Sequence, residues 1–452
     1  MKTLKILGIF FVSILVIVPM RCRKLKIIPS YAAKNMSSNV FFAKRPIDSI
    51  NATDNNIPFV KLAKTSIDFE SKIVTGSLFG MIKKKVLFRE GLGSILIDND
   101  FDTNKKFLTP KRIKNPTDLE FPYGDKEPKD SLFSNINYNK LTSAVENVFV
   151  ENQKPNLKNT RSILVVYKNK IIAEKYAEGF DKNTPLAGWS MTKSLFATLF
   201  GVLNKQIGFD LNTPVTSVID LKDWEKDKRS KITVNHLLKM ISGLDWEEDY
   251  SKVSDVTQML FLDKDMTERQ IRKKASYEPG THFLYSSGSS NLLSKILRTQ
   301  FKTYQEYLDF PYTELIDKIG MNSALIETNR SSNYNASSYG WATTRDWAKL
   351  GLLYLHRGNW NGTQIFNESW TDYVSTPSEA SNKSYGGHFK SNQCRKFPEL
   401  PSDMFYADGY YGQRTFIIPS MDLVVVRTGL TTPEAEDDLI NEMLSDIVTA
   451  FE

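Results

Sequence analysis

Gly188-Trp189-Ser190-Met191-Thr192-Lys193, running into the apolar segment Leu195 to Leu203, is the stretch whose reading decides the fold. Ser190 and Lys193 are three residues apart, which on a helix puts both side chains on one face, one turn from each other. A helix N-terminus adds N–H groups without intrahelical acceptors and a positive dipole end beside the serine. A serine hydroxyl is a weak nucleophile at neutral pH and needs a neighbouring base. An amine with its charged form partly desolvated can serve as one. The segment from Leu195 to Leu203 is apolar on nearly every face, so the helix is expected to be central and rigid. Taken alone, Ser-x-x-Lys is a common pattern, and a serine opening a helix is more often its N-cap. The motif acquires meaning from what surrounds it.

Composition narrows the field. At 452 residues, with 41% apolar and 25% charged residues, the chain can bury a sizeable core. The net charge of +7 comes from lysines dispersed among 52 acidic residues, so no basic stripe points to nucleic acid. Only Cys22 and Cys394 are present, which excludes a disulfide framework and a cysteine-based zinc site. His236, His282, His356 and His388 lack metal-ligand spacing, so neither a metal nor a cofactor is expected.

Lys2 and Lys5 precede Ile6 to Met20, a run without charge, and Arg21, Arg23, Lys24 and Lys26 follow. Such a run suits a signal anchor or signal peptide, residues 1–26. No cleavage site lies close to it, so an uncleaved anchor is the expectation. The basic residues after the run argue for a cytoplasmic body. Residues 27–135 read as an N-terminal extension and linker. They contain the strand-like runs Lys72 to Phe79 and Ser94 to Ile97, with a turn at Gly91-Leu92-Gly93 and a proline-rich connection from Pro110 to Pro128.

The main domain, residues 136–452, opens with Ser162 to Tyr167, the turn Lys168-Asn169-Lys170, and Ile171 to Tyr176: a β-hairpin. The helix after Ser190 should end at Gly208. Ile232 to Leu244 reads as a second helix capped by Thr233. Pro279-Gly280-Thr281 delivers Tyr285-Ser286-Ser287, and a further helix begins near Asn291. Thr343 to Asp346 caps a helix carrying Trp347, Leu350 and Leu353. Gly409 to Gln413 leads into Thr415 to Ile418, a turn at Pro419, and the partner strand Leu423 to Val426. The last helix carries an apolar stripe of Leu439, Ile440, Met443 and Ile447. The order predicts an α+β fold: an antiparallel β-sheet flanked by helices, with a mainly helical lobe inserted at about residues 210–340.

These pieces in this order resemble the serine β-lactamase and penicillin-binding-protein superfamily. Within it they are most similar to class C β-lactamase-like hydrolases and 6-aminohexanoate-dimer hydrolases. The resemblance covers about residues 136–452. Ser190-Met191-Thr192-Lys193 matches the nucleophile motif, Tyr285-Ser286-Ser287 the second motif, Ser338-Tyr339-Gly340 through Gly351 a further shared block, and Gly409 to Gln413 occupies the place of the third motif. Ala32-Ala33-Lys34 and Phe79-Gly80 look like an extension seen in an envelope-associated branch.

The resemblance implies a β-lactamase/transpeptidase-like fold and an acyl-enzyme mechanism. Ser190 would attack a carbonyl, Lys193 and Tyr285 would shuttle protons, and the backbone N–H groups of Ser190 and Gln413 would form the oxyanion hole. Ser287, Tyr410, Tyr411 and Gly412 would meet the substrate. Ser287 stands where the family usually has asparagine, and Tyr410-Tyr411-Gly412 where it has Lys-Thr-Gly, so the usual partner for a substrate carboxylate is missing. Arg414 follows, on a strand position that can point the other way.

The expected function is hydrolysis of an ester or amide of a small acyl compound. A D-alanyl peptidase or weak β-lactamase of the cell envelope is the alternative within the class, and a ligand-binding or sensing module with little turnover the alternative outside it. The expected partners are a small-molecule ester, amide or peptide substrate and a membrane. The expected location is membrane-anchored and facing the periplasm or cell exterior. That placement conflicts with the basic residues after the run.

Overall fold

The computed structural model describes residues 24–113, 118–124, 126–127, 132–150 and 158–451. The chain folds into two compact units. The first takes in the residues up to Phe107 together with Glu247–Arg269 and Thr328–Ser332; the second takes in Leu108–Trp246, Gln270–Glu327 and Asn333–Glu452. The first unit thus includes two segments of the stretch expected as a helical lobe, and residues 108–135 cluster with the second unit.

The first unit begins with a helix that sequence reading did not find, α1 (Ile27–Phe41). Its small and polar residues disguise it: Ser30, Lys34, Ser37 and Ser38 are buried with Ala33 and Met36. The hydroxyls of Ser37 and Ser38 bond to that of Ser94, and Lys34 Nζ donates to the Ser94 carbonyl. The helix lies on a four-stranded antiparallel meander, β1 (Ala63–Asp68), β2 (Ile73–Leu78), β3 (Ile82–Arg89) and β4 (Gly93–Ile97). Both expected strand runs fall here. The turn at Gly91 to Gly93 joins β3 to β4, with both glycines left-handed.

The second unit is built on a six-stranded antiparallel sheet. Its members are β5 (Thr160–Tyr167), β6 (Lys170–Tyr176), β7 (Lys390–Ser391), β8 (Phe405–Gly409), β9 (Gln413–Ile418) and β10 (Leu423–Gly429), in the order β7-β8-β9-β10-β5-β6. β5 and β10 pair at the centre and are buried along their whole length, as their Val- and Ile-rich sequences require. Helices α2 (Tyr138–Asn147) and α7 (Pro433–Val448) close one face through Leu141, Val145, Leu439, Met443 and Ile447.

Across the other face lie α3 (Met191–Ile207) and α6 (Thr344–Leu355). Every side chain of α3 from Met191 to Leu203 is buried, and Gly208 ends the helix in the left-handed region, its N–H on the Asn204 carbonyl. Burying Leu195, Phe196, Leu199, Phe200, Val202 and Leu203 contributes on the order of 10 kcal/mol before entropy is counted. Helices on both faces of an antiparallel sheet match the expected α+β architecture.

Two local expectations need correction. The helix predicted over Ile232 to Leu244 is only α4 (Val234–Leu238). Thr233 caps it in a capping box with His236, but Met240 turns left-handed at φ 57° and stops it. The helix expected near Asn291 starts earlier, as α5 (Ser287–Arg298), with Ser286 as its N-cap. Among the described residues no helix is long and apolar enough to cross a membrane; the run at residues 6–20 lies outside them.

The contact between α1 and β2 sets a stability test. A Cβ on Gly76 would stand 2.1 Å from the Pro29 carbonyl oxygen, a backbone atom that cannot swing aside. Gly76→Val is therefore expected to lift α1 and cost at least about 1–3 kcal/mol locally. Limited proteolysis mapped by mass spectrometry should show new cuts within residues 24–107. Unchanged protection would contradict this packing.

Candidate active site

Trp189 initiates the site by taking a backbone conformation that bulky residues avoid. Its φ is 47°, in the left-handed region, at a cost of about 1–2 kcal/mol. The surrounding segment holds it there. Thr192 Oγ1 donates to the Trp189 carbonyl at 2.6 Å and accepts from Gly340 N at 2.7 Å, and Gly188 N donates to the Gly340 carbonyl at 2.8 Å. This bracing presents Ser190 at the start of α3.

Ser190 does not act as the helix cap. Its backbone is already helical, with φ −68° and ψ −7°, and its side chain makes no capping bond. Lys193 Nζ instead donates to Ser190 Oγ at 2.8 Å. The same ammonium donates to Ser287 Oγ at 3.0 Å and to the Ser337 carbonyl at 3.0 Å. These three acceptors are neutral oxygens from three parts of the chain. Ser190 is 7% exposed and Lys193 1%. The Tyr285 ring centroid lies 4.8 Å from Lys193 Nζ, and Tyr385 meets that ring edge-on at 5.7 Å. The structure therefore brings Ser190, Lys193, Tyr285 and Ser287 together.

The third-motif segment approaches from the β8–β9 turn. A Cβ on Gly409 would stand 2.1 Å from the Gly188 carbonyl oxygen, so only glycine allows this approach to the residues before Ser190. The rings of Tyr410 and Tyr411 meet Trp189 at 5.5 and 5.9 Å, both near perpendicular. Gly412, at φ 78°, completes the turn. Gln413 follows as the first residue of β9. Its side-chain amide donates to the carbonyls of Tyr410, Tyr411 and Gly429 and accepts from Gly429 N, which braces the turn from within. Arg414 points away as well, with Asp408, Glu436 and the Gly409 carbonyl as partners.

Sequence reading passed over five contributors. Ser337 lends its carbonyl to Lys193, and Asn291 Nδ2 holds Ser337 Oγ at 3.2 Å. Ser290 Oγ lies 3.0 Å from His388 Nε2, and His388 Nδ1 2.8 Å from the Leu238 carbonyl. Ser194, one residue after Lys193, donates to the His388 carbonyl at 2.6 Å. His388 thus links α3, α4 and α5 behind the lysine. Only the register of Ser290 and Asn291 one turn into α5 hinted at this, since His388 lies in a loop without periodic pattern.

The family model for β-lactamases matches residues 159–448, and the chain belongs to that family. Among curated proteins it is similar to 6-aminohexanoate-dimer hydrolase of Paenarthrobacter ureafaciens, 26% identical over 229 residues. That match covers 48% of this chain and 57% of the relative, so the chain spans little more than half of that protein's length. Among solved structures it is similar to a putative 6-aminohexanoate-dimer hydrolase from Bacillus anthracis, with a TM-score of 0.55 and 23% identity, covering 64% of this chain and 79% of that one. A family VIII carboxylesterase aligns with a TM-score of 0.54 and 14% identity over 72% of this chain and 100% of that one.

Burial, and secondarily the charge of Lys193, hold the His388 imidazole down to about 3 from its usual 6.5. The folded chain thus resists a proton that the unfolded chain accepts. The contribution of neutral His388 to stability is complete above pH 6.5 and is lost progressively as pH falls towards 3. His236 and His356 are also pushed down by burial, so the difference between two chains isolates His388. His388→Gln should lower the urea midpoint near pH 7.5 but flatten its decline below pH 6.5. Parallel curves for the two chains would show that His388 does not titrate as described.

Proposed function

We propose that the chain is a serine hydrolase that works through an acyl-enzyme on an ester or amide of a small acyl compound. The observation carrying this reading is Lys193 Nζ at 2.8 Å from a Ser190 hydroxyl that caps nothing. As Ser190 Oγ attacks the carbonyl carbon, its proton passes to the Lys193–Tyr285 pair, and Tyr285 returns a proton to the leaving oxygen or nitrogen. Water then releases the acyl group by the same route in reverse. The backbone N–H of Ser190 supplies one donor to the oxyanion. For the second donor, the packing of Gly409 on Gly188 favours the N–H of Tyr410 over that of Gln413, whose side chain braces the turn.

Tyr410 and Tyr411 offer an aromatic wall at the place of the family's lysine, and the ion pairs of Arg414 occupy the nearest cation on that strand. This favours neutral acyl groups over carboxylate-bearing β-lactams or D-alanyl peptides. A family VIII carboxylesterase and 6-aminohexanoate-dimer hydrolases among the similar proteins support a substrate range wider than β-lactams. The uncharged run at residues 6–20, with basic residues on both sides, is proposed to tether the chain to a membrane of the cell envelope.

The roles separate on p-nitrophenyl butyrate. Ser190→Ala should abolish turnover, and Lys193→Ala should lower kcat by about 2–4 orders of magnitude. Tyr285→Phe keeps the ring packing, so kcat should fall sharply while Tm barely moves. Near-normal turnover by Tyr285→Phe would mean that Lys193 handles the protons alone.

A further inference from the structure

We infer that one end of the sheet in the first unit is a surface that contacts an anionic lipid bilayer. The inference is independent of the hydrolase reading. Its starting point is the turn between β2 and β3, Phe79-Gly80-Met81. Phe79 takes φ 53° and Gly80 φ 73°. Asparagine or glycine is the usual occupant of such a left-handed position, and a phenylalanine there is strained. Yet Phe79 is 68% exposed and Met81 80% exposed. A turn needing only its geometry would not carry two large apolar side chains into solvent.

The strand register gathers more of the same character at this end. Ala63 of β1 pairs with Leu78, and Leu78 with Ile82, so the start of β1 lies beside the turn. The two residues that lead into it on the apolar side, Phe59 and Leu62, are exposed, and Phe59 is also left-handed at φ 67°. Lys64 pairs with Ser77, which pairs with Lys83; two residues on, Ser66 pairs with Thr75, which pairs with Lys85. Alternation puts these lysines on one face, the one opposite α1, whose Pro29 and Ala33 pack on Gly76 in the intervening row. Lys64, Lys83 and Lys85 are exposed, and among the described residues none is in an ion pair. The carboxylates Asp68 and Glu70 stand at the far end of β1, where exposed Phe69 meets Phe41.

The direction of α1 decides the occupant. Pro29, near its N-terminus, touches Gly76 two residues from the end of β2. Phe41, at its C-terminus, packs on Phe88 and Phe69 at the opposite end. The chain therefore enters α1 from the end that carries Phe79 and Met81. In sequence it arrives there from an uncharged run, Ile6 to Met20, through Arg21, Arg23, Lys24 and Lys26. Apolar tips, a lysine-bearing sheet face and this entry point share one end of the unit. That combination suits acyl chains beneath anionic headgroups.

The test uses the full chain with Cys22→Ser and Cys394→Ser, and Met81→Cys carrying an environment-sensitive fluorophore. Phosphatidylcholine vesicles containing phosphatidylglycerol should shift the emission to the blue, pure phosphatidylcholine much less, and salt should weaken the effect. Replacing Lys64, Lys83 and Lys85 by Glu should largely remove the emission shift at position 81, a local readout that the run at residues 6–20 does not supply. Phe79→Asn in the chain labelled at position 81 should weaken the shift too while leaving ester hydrolysis unchanged, because asparagine suits the left-handed turn. Sedimentation with vesicles but no emission shift at position 81 would overturn the inference. So would a Phe79-dependent dimer seen by sedimentation velocity without vesicle contact, since a second copy would then be the occupant.

Discussion

The Lys193 ammonium, buried among three neutral oxygens, is the constraint on which the second unit depends. Burying a charge costs several kcal/mol unless its donors are met, and hydrogen bonds to a charged group recover about 1.5–3 kcal/mol each. Those acceptors come from the start of α3, the start of α5 and the Ser337 loop. Holding them in register requires the left-handed turn at Trp189, the Thr192 bridge to Gly340 and the Asn291 bond to Ser337. Stability and the proposed chemistry thus draw on one set of contacts: the arrangement that satisfies the Lys193 amine also holds it against the Ser190 hydroxyl.

What surrounds this centre sharpens its character. His388, kept neutral by burial, spans three helices without adding a second positive charge behind the lysine. Arg414 is held by Asp408 and Glu436, so its charge is spent inside the sheet. In the proposed reading, an incoming acyl group meets the rings of Trp189, Tyr410 and Tyr411, which pack on one another. An aromatic border beside a buried lysine suits recognition by shape and apolar contact more than by pairing with a substrate carboxylate.

Much of this was legible from residue order. The apolar run after Lys193 and the glycine at position 208 marked α3, and the valine-rich runs marked β5 and β10, because strands covered on both faces carry long apolar stretches. Tyr285 and Ser287 were singled out by the resemblance of Tyr285-Ser286-Ser287 to the family's second motif. Helix α1 was not, since its buried face is serine, lysine and alanine satisfied by Ser94, a partner about sixty residues away. Met240 ended α4 early by a backbone turn that no residue type announces. The Gln413 side chain, which holds the turn that brings Gly409 and Tyr410 forward, was not legible either, because its partners are backbone groups of the turn and of β10. His388 was invisible for a related reason: its partners lie on helices far apart in sequence.

The central claim is that Ser190 is the group that becomes acylated. Mass spectrometry of the full chain after exposure to a fluorophosphonate, followed by peptide mapping, tests it most directly. The account predicts a single stoichiometric adduct on the peptide containing Ser190, formed in the wild type and absent when Lys193 is replaced by alanine. An adduct on another residue, or an unmodified chain that still hydrolyses esters, would contradict it.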